Sequence, residues 1–160
     1  MKSASVIEIK TELGNLNNKE LLELSLRLIK YKKDNKEFIN YLLFEASDVS
    51  SYTEKIKLEM DEAFESINKS NLYFAKKSLR KILRLANKYI KYISSKEAEV
   101  ELLIYFCERL QASEIAIKKS AALKNLYVGQ VKKINQALVT LHPDLQFDYT
   151  KRVELIERIP

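Results

Sequence analysis

Few residues in this chain carry the chemistry of a catalyst or a metal ligand. His142 is the single histidine, in Leu141-His142-Pro143-Asp144, with Asp148 a turn further on. These three side chains could be drawn as a metal site or an acid–base pair. Zinc and non-haem iron sites ordinarily draw on two or three imidazoles, so one histidine falls short of the usual ligand set. The structural alternative is a histidine that ends a helix and favours the negative end of its dipole. Cys107 is the one cysteine and closes the apolar stretch Leu102 to Cys107. Burial there raises a thiol pKa and only Arg109 is placed to oppose it, so a structural thiol in a reducing compartment is expected. Neighbouring carboxylates such as Asp61-Glu62 are expected on the water-facing side of a helix. The sequence contains no GxxxxGK(S/T), GxGxxG, HExxH, CxxC or GxSxG motif, and no Glu-x-x-His. A helical enzyme working with one carboxylate stays formally open, but no residue pattern points to one. The expectation is a non-enzymatic protein with no catalytic residue, no metal site and no cofactor.

The chemistry on offer is that of a charged face. Between Leu72 and Ile93 lie Lys76, Lys77, Arg80, Lys81, Arg84, Lys88 and Lys91, with no Asp or Glu, a local charge of +7. Lys76, Arg80, Arg84 and Lys88 recur every fourth residue, which aligns them on one side of a helix; Lys77, Lys81 and Lys91 widen the stripe. Tyr73, Tyr89 and Tyr92 lie among them. Like charges four apart on a helix repel by about 0.2–0.5 kcal/mol per pair, so something must relieve them. One relief is a polyanion, the phosphates of a nucleic-acid backbone tracked over a helix of about 30 Å. The other is intramolecular. The segment before, Ser51 to Asn68, is net −3, and the segment after, Ser95 to Leu110, is net −2, so antiparallel neighbours could set acid beside base. A further basic segment, with Lys118, Lys119, Lys124, Lys132 and Lys133 against Glu114, would share a surface with the first if successive hairpins stack. Tyr31, Tyr41, Tyr89, Tyr92 and Tyr105 could serve as stacking platforms, or rest at the core edge with wet hydroxyls.

Those side chains need helices to hold them. Asn18 is placed to cap a helix from Lys19 to about Lys32, whose Leu21, Leu24 and Leu28, widened by Leu22, Leu26 and Ile29, make a face broad enough for contact on two sides. Asp34 is placed to cap Asn35 to Ala46. The stretch Ala46 to Ser51 (ASDVSS) reads as a break. Ser51 and Glu54 have capping-box spacing for a helix to about Asn68. Leu72 to Ile93 is the longest clean pattern, buried along Leu72, Ala75, Leu79, Ile82, Leu83, Ala86, Ile90 and Ile93. Ser94-Ser95 opens a helix through Leu110, buried along Val100, Leu103, Ile104, Cys107 and Leu110. A last long helix is expected from about Glu114 to Leu141, buried along Leu123, Tyr127, Val131, Ile134, Leu138 and Leu141. Gly129 inside it costs about 1 kcal/mol against alanine. His142-Pro143 ends it, and a short helix follows Thr150. Ser3 to Leu13 reads either as a short helix or as extended chain, ended by Gly14.

Length and composition set the frame. The 160 residues hold 28 Lys and Arg against 22 Asp and Glu, net +6, with only 2 glycines and 2 prolines. Tight-turn β architectures and glycine-cradled nucleotide folds need more of both, so they are excluded. What remains is an all-α chain of six to eight helices in antiparallel pairs: an irregular helical bundle or a short αα-hairpin stack, HEAT/TPR-like at most. The expected organisation is a single helical domain over 1–160, with an N-terminal arm at 1–14 and a C-terminal segment with a short helix at 142–160. No apolar run approaches a membrane span, and Met1 to Lys10 lacks the apolar core of a secretory signal, so a cytoplasmic protein without membrane contact is expected. A pI near 9.2 is compatible with nucleic-acid binding. The expected function is a binding module that takes nucleic acid or another polyanion on the basic helix. The alternative is a protein–protein adaptor, as a homodimer or with another partner, whose basic helix is neutralised by its own acidic neighbours.

Overall fold

A computed structural model describes residues 2–158 and is all-α: among them are eight α-helices, one π-helical turn, one 3-10 turn and no strand. Residues 1, 159 and 160, which the expected arm and C-terminal segment include, lie outside the described residues. No described helix is long and apolar enough to cross a membrane. The chain divides into two compact units, Met1–Glu45 and Ala46–Pro160, and the boundary falls at the start of the ASDVSS break.

The first unit holds α1 (Val6–Gly14), α2 (Asn18–Tyr31), α3 (Lys33–Asn40) and a π-helical turn, Tyr41–Glu45. Of the ambiguous stretch Ser3 to Leu13, the part from Val6 on is helical, because Ser5 and Glu8 form a reciprocal capping box: the Ser5 amide donates to Glu8 Oε2 at 2.7 Å, and the Glu8 amide to Ser5 Oγ at 3.3 Å. A second box, Asn17 with Glu20, starts α2. Asn17 caps this helix rather than Asn18, because only Asn17 has a carboxylate three residues on to return the bond. Asp34 does not cap α3. The helix begins at Lys33 behind an extended Lys32 with no side-chain cap, and Asp34 sits in its first turn, where a negative charge suits the dipole. Asn35 Nδ2 donates to the Leu28 carbonyl at 2.8 Å and ties α3 back to α2. The broad leucine face of α2 is not enclosed on two sides: Leu21 and Ile29 are half-buried, while Leu22 is 60% exposed and Leu28 53%.

The second unit is built around one helix. It comprises α4 (Val49–Glu65), α5 (Leu72–Ile93), α6 (Lys96–Ala112), α7 (Ala121–Leu138) and α8 (Pro143–Glu157), with a 3-10 turn at Ile117–Lys119. Helix α6 packs against α4, α5, α7 and α8, while α4 also packs on α5 and α7 on α8. The sequence of α6 requires this, since the run from Leu102 through Cys107 leaves an apolar residue on every side of a helical wheel. Leu102 and Phe106 are fully buried together with the expected Val100, Leu103, Ile104, Cys107 and Leu110. Phe64 from α4 meets Phe106 with ring centroids 5.5 Å apart. Each such fully buried side chain contributes about 1.5–3 kcal/mol of transfer free energy.

Short, specific turns join these helices. Asp48 caps α4, and its Oδ1 accepts from the Ser51 amide at 2.9 Å, so Ser51 is an early residue of that helix and not its cap. Between α5 and α6 the chain turns on Ser94, left-handed at φ 54°, followed at once by Ser95, the cap of α6. The long helix expected from Glu114 is broken: Glu114 is left-handed at φ 61°, a 3-10 turn follows, and α7 starts only behind its cap, Ser120. His142-Pro143 begins a helix instead of only ending one. Proline occupies the first turn of α8, where its missing N–H is no loss, and α8 is 15 residues long rather than a short piece after Thr150.

Candidate nucleic-acid interface

The basic helix α5 runs between the expected bounds, Leu72 to Ile93, behind an Asn71 cap whose Oδ1 accepts from the Tyr73 and Phe74 amides. Its buried residues are Ala75, Leu79, Ile82, Leu83, Ala86 and Ile93. At 3.6 residues per turn these centre on one side, and the seven cations occupy the opposite arc of about 140°. Lys77, Arg80, Lys81, Arg84 and Lys91 are exposed; Lys76 and Lys88 are half-buried. Within this arc Tyr73, Lys77, Arg80, Arg84 and Lys91 fall nearly in line, at steps of 4, 3, 4 and 7 residues, a ladder about 27 Å long with an aromatic ring at its head.

Glu54 and Asp61 of α4 and Glu101 and Glu108 of α6 are engaged by cations outside α5. Lys57 Nζ lies 2.6 Å from Glu54 Oε1 and 2.7 Å from Glu101 Oε1. Arg152 Nη1 lies 2.6 Å from Glu101 Oε2, and its Nε 2.8 Å from Glu108 Oε1. Arg109 Nε sits 2.7 Å from Asp61 Oδ1, and the Tyr105 hydroxyl donates to Asp61 at 2.7 Å. Asp61 is therefore turned toward α6 and not toward water as expected, while Glu62 is exposed. The Glu59 carboxylate accepts from the Tyr89 hydroxyl at 2.8 Å. Among the described residues no acid lies within ion-pair distance of Lys76, Lys77, Arg80, Lys81, Arg84 or Lys91. Lys88 is differently placed, with its ammonium 4.6 Å from the centroid of the Tyr89 ring and further interactions around it.

Two open grooves flank the Arg80–Arg84 ridge. One, of about 580 Å³, runs between α4 and α5 past Glu59, Ser66, Lys81, Ile82, Arg84 and Lys88. The other, of about 550 Å³, is lined by Tyr73, Lys76, Lys77, Arg80, Leu83 and Arg84. It combines a phenol and a leucine with cations and contains no acid.

Of the tyrosines expected as platforms, Tyr41 is buried, Tyr89 and Tyr92 stack edge-on at 5.9 Å, and Tyr105 is bonded to Asp61. Tyr31 is 76% exposed but belongs to the first unit. The ring that lies free on the basic face is Tyr73, 64% exposed with the Lys76 ammonium 5.7 Å from its centroid. Its signal in the sequence was the spacing of 4 and 7 residues ahead of Lys77 and Arg80. The second basic segment is exposed at Lys118, Lys119, Lys124, Lys132 and Lys133, but α7 packs on α6 and α8 and not along α5.

The remaining reactive groups are held in structural roles. His142 caps α8, its Nδ1 accepting from the Asp144 amide at 3.3 Å, which places the ring at a helix start and not at the negative end of α7. Among the described residues no cluster of His, Cys, Asp and Glu could hold a metal ion. Burial pushes the Cys107 thiol up to about 12. Burial alone would also raise Glu101, but hydrogen bonds from Arg152 and Lys57 outweigh it and hold the carboxyl below its ordinary value. A carboxylate fixed as an anion in this way is a poor general acid.

Comparison with protein-family models, curated proteins and solved structures finds no match to this chain.

Proposed function

We propose that the second unit is a binding module for nucleic acid, holding the phosphate backbone along the outer face of α5 without catalysing a reaction on it. The observation that carries this reading is the separation of charges: among the described residues Lys76, Lys77, Arg80, Lys81, Arg84 and Lys91 have no acid within ion-pair distance, while Glu54, Asp61, Glu101 and Glu108 are paired with Lys57, Arg109 and Arg152. Cations left in water along one helix gain most from a ligand that brings several negative charges at once and releases its counterions. The test is an electrophoretic shift with duplex and single-stranded oligonucleotides at low salt. Binding should weaken steeply with salt, the logarithmic slope being about 0.9 per phosphate contacted on duplex DNA. Arg80→Glu with Arg84→Glu should abolish the shift while leaving the helical circular dichroism unchanged. Absence of any shift at low salt with the unaltered protein overturns the reading.

A second reading concerns the first unit. Val6, Ile7, Leu22, Leu28 and Leu43 are all more than half exposed there, and Tyr41 is its only buried apolar residue among those described. So small a unit with so little enclosed side-chain area gains stability by association. Acidic and basic residues are interspersed along α1 to α3, which suits a second copy of this chain better than a strongly charged partner. Sedimentation should then show a dimer that Leu22→Glu with Leu28→Glu converts to monomer; a monomer at high protein concentration removes this reading.

A further inference from the structure

We infer that the ligand of the α5 face is single-stranded nucleic acid, with an unpaired base stacked on Tyr73 and the adjoining phosphates held by Lys77, Arg80 and Arg84. This rests on the nucleic-acid reading above and narrows it. The groove beside Tyr73 has two kinds of wall. Tyr73 and Leu83 provide aromatic and apolar surface, and Lys76, Lys77, Arg80 and Arg84 surround it with positive charge. A duplex offers phosphates to the cations but keeps its bases stacked on one another, so the phenol would gain nothing. A single strand offers both, because every base has a face for an aromatic ring and a phosphate beside it.

The position of Tyr73 fits that use. It is the first member of the ladder, one helical turn from Lys77 and two from Arg80, so a base lying on the ring continues into a backbone running along α5. The ring is not enclosed by the fold: it is 64% exposed, and its contacts are Phe74, with centroids 5.5 Å apart, and the Lys76 ammonium. Phe74 is itself half exposed, adding apolar surface at the same end. An ammonium near the ring also favours an electron-rich base sandwiched close to a positive charge. No acid lines the groove to repel the strand.

The experiment compares fluorescence anisotropy of labelled oligo(dT) and of a duplex of equal length, using the full chain and the variants Tyr73→Ala, Tyr73→Phe and Arg80→Glu with Arg84→Glu. The expected result is tighter binding of the strand than of the duplex. Tyr73→Ala should weaken the strand by about 5- to 150-fold, the range for loss of one stacked base, and leave the duplex unchanged. Tyr73→Phe should keep the strand affinity within about twofold, since it retains the stacking face. The double charge reversal should abolish binding of both. Equal binding of strand and duplex, unaffected by Tyr73→Ala, overturns the stacking inference and leaves the phosphate-binding face standing. Preference for the duplex overturns it as well. Binding of neither overturns both. Circular dichroism of Tyr73→Ala separates loss of the platform from loss of the fold, and the exposure of this ring leads to an unchanged spectrum.

Discussion

Arg152 on α8 bridges Glu101 and Glu108 on α6, its Nη1 lying 2.6 Å from Glu101 Oε2 and its Nε 2.8 Å from Glu108 Oε1. The two carboxylates stand two helical turns apart, so one guanidinium fixes both the position and the rotation of α8 on the central helix. Lys57 approaches Glu101 from α4 at 2.7 Å, joining three helices through one carboxylate. Arg152→Ala should cost about 1–3 kcal/mol near neutral pH, less than a fully buried pair because these groups are partly solvated. Denaturant midpoints measure it; a change below about 0.5 kcal/mol would mean the bridge contributes no more than an exposed surface ion pair.

The same cluster predicts an acid dependence. The Glu101 carboxyl is held below its ordinary value in the folded protein, so the unfolded chain binds its proton at higher pH than the folded one. Stability from this group is present above the ordinary carboxylate range and is lost as the pH falls through the folded value. The difference between the parent and Arg152→Ala should therefore narrow as Glu101 is protonated. Paired denaturant titrations at neutral and acid pH measure this, and a gap that widens on acidification contradicts it.

Charge reversal on α5 should be harmless to the fold. Among the described residues Arg80 and Arg84 have no acidic partner, and each faces like charges one turn away at Lys76, Lys77, Lys81 or Lys88. Arg80→Glu with Arg84→Glu replaces those repulsions by attractions of about 0.2–0.5 kcal/mol per pair, so the melting temperature should hold or rise. A clear fall in melting temperature would show that neighbouring acids had been neutralising the helix after all.

Gly129→Ala should stabilise the protein by about 0.5–1 kcal/mol. The residue lies inside α7 without a left-handed backbone, and a Cβ built there meets nothing within 4 Å. Neither a bend nor a close approach requires the glycine. Thermal unfolding measures the effect, and destabilisation would reveal a contact that the monomer alone does not make.

Cys107 should resist thiol reagents until the second unit opens. It is fully buried on α6, and burial raises its pKa to about 12, so thiolate is scarce near neutral pH. Labelling rates across a denaturant series should track global unfolding; rapid labelling of the native protein would contradict the packing of α6.

What was legible in the sequence depended on how many residues competed for one role. Helix α5 was delimited to the residue because Asn71, Ser94 and Ser95 bracket an unbroken apolar stripe. Spacing alone does not fix the start of α4, because Asp48 and Ser51 are both good caps, and the fold decides it by having the Ser51 amide donate to Asp48. His142-Pro143 reads as a stop in the sequence, although proline is also favoured in a first turn, which is the role it has in α8. The all-round apolar run of α6 specifies its central place, which the single stripe Val100, Leu103, Ile104, Cys107 and Leu110 leaves out by omitting Leu102 and Phe106. The charge layout of α5 was plain from spacing. Whether its acidic neighbours would reach it was not, since Lys57, Arg109 and Arg152 compete for the same carboxylates through contacts remote in sequence.

The central helix also has a consequence for how the chain is made. Helices α4 and α5 leave the ribosome before α6, and the surface on which Phe64 later meets Phe106 stays open until the 17 residues of that helix have followed. At ordinary rates of translation this takes about 1–3 s, long compared with helix formation. Nascent chains truncated just before Lys96 should therefore recruit holdase chaperones, and only chains extended through α8, which covers the remaining face of α6 together with α7, should release them.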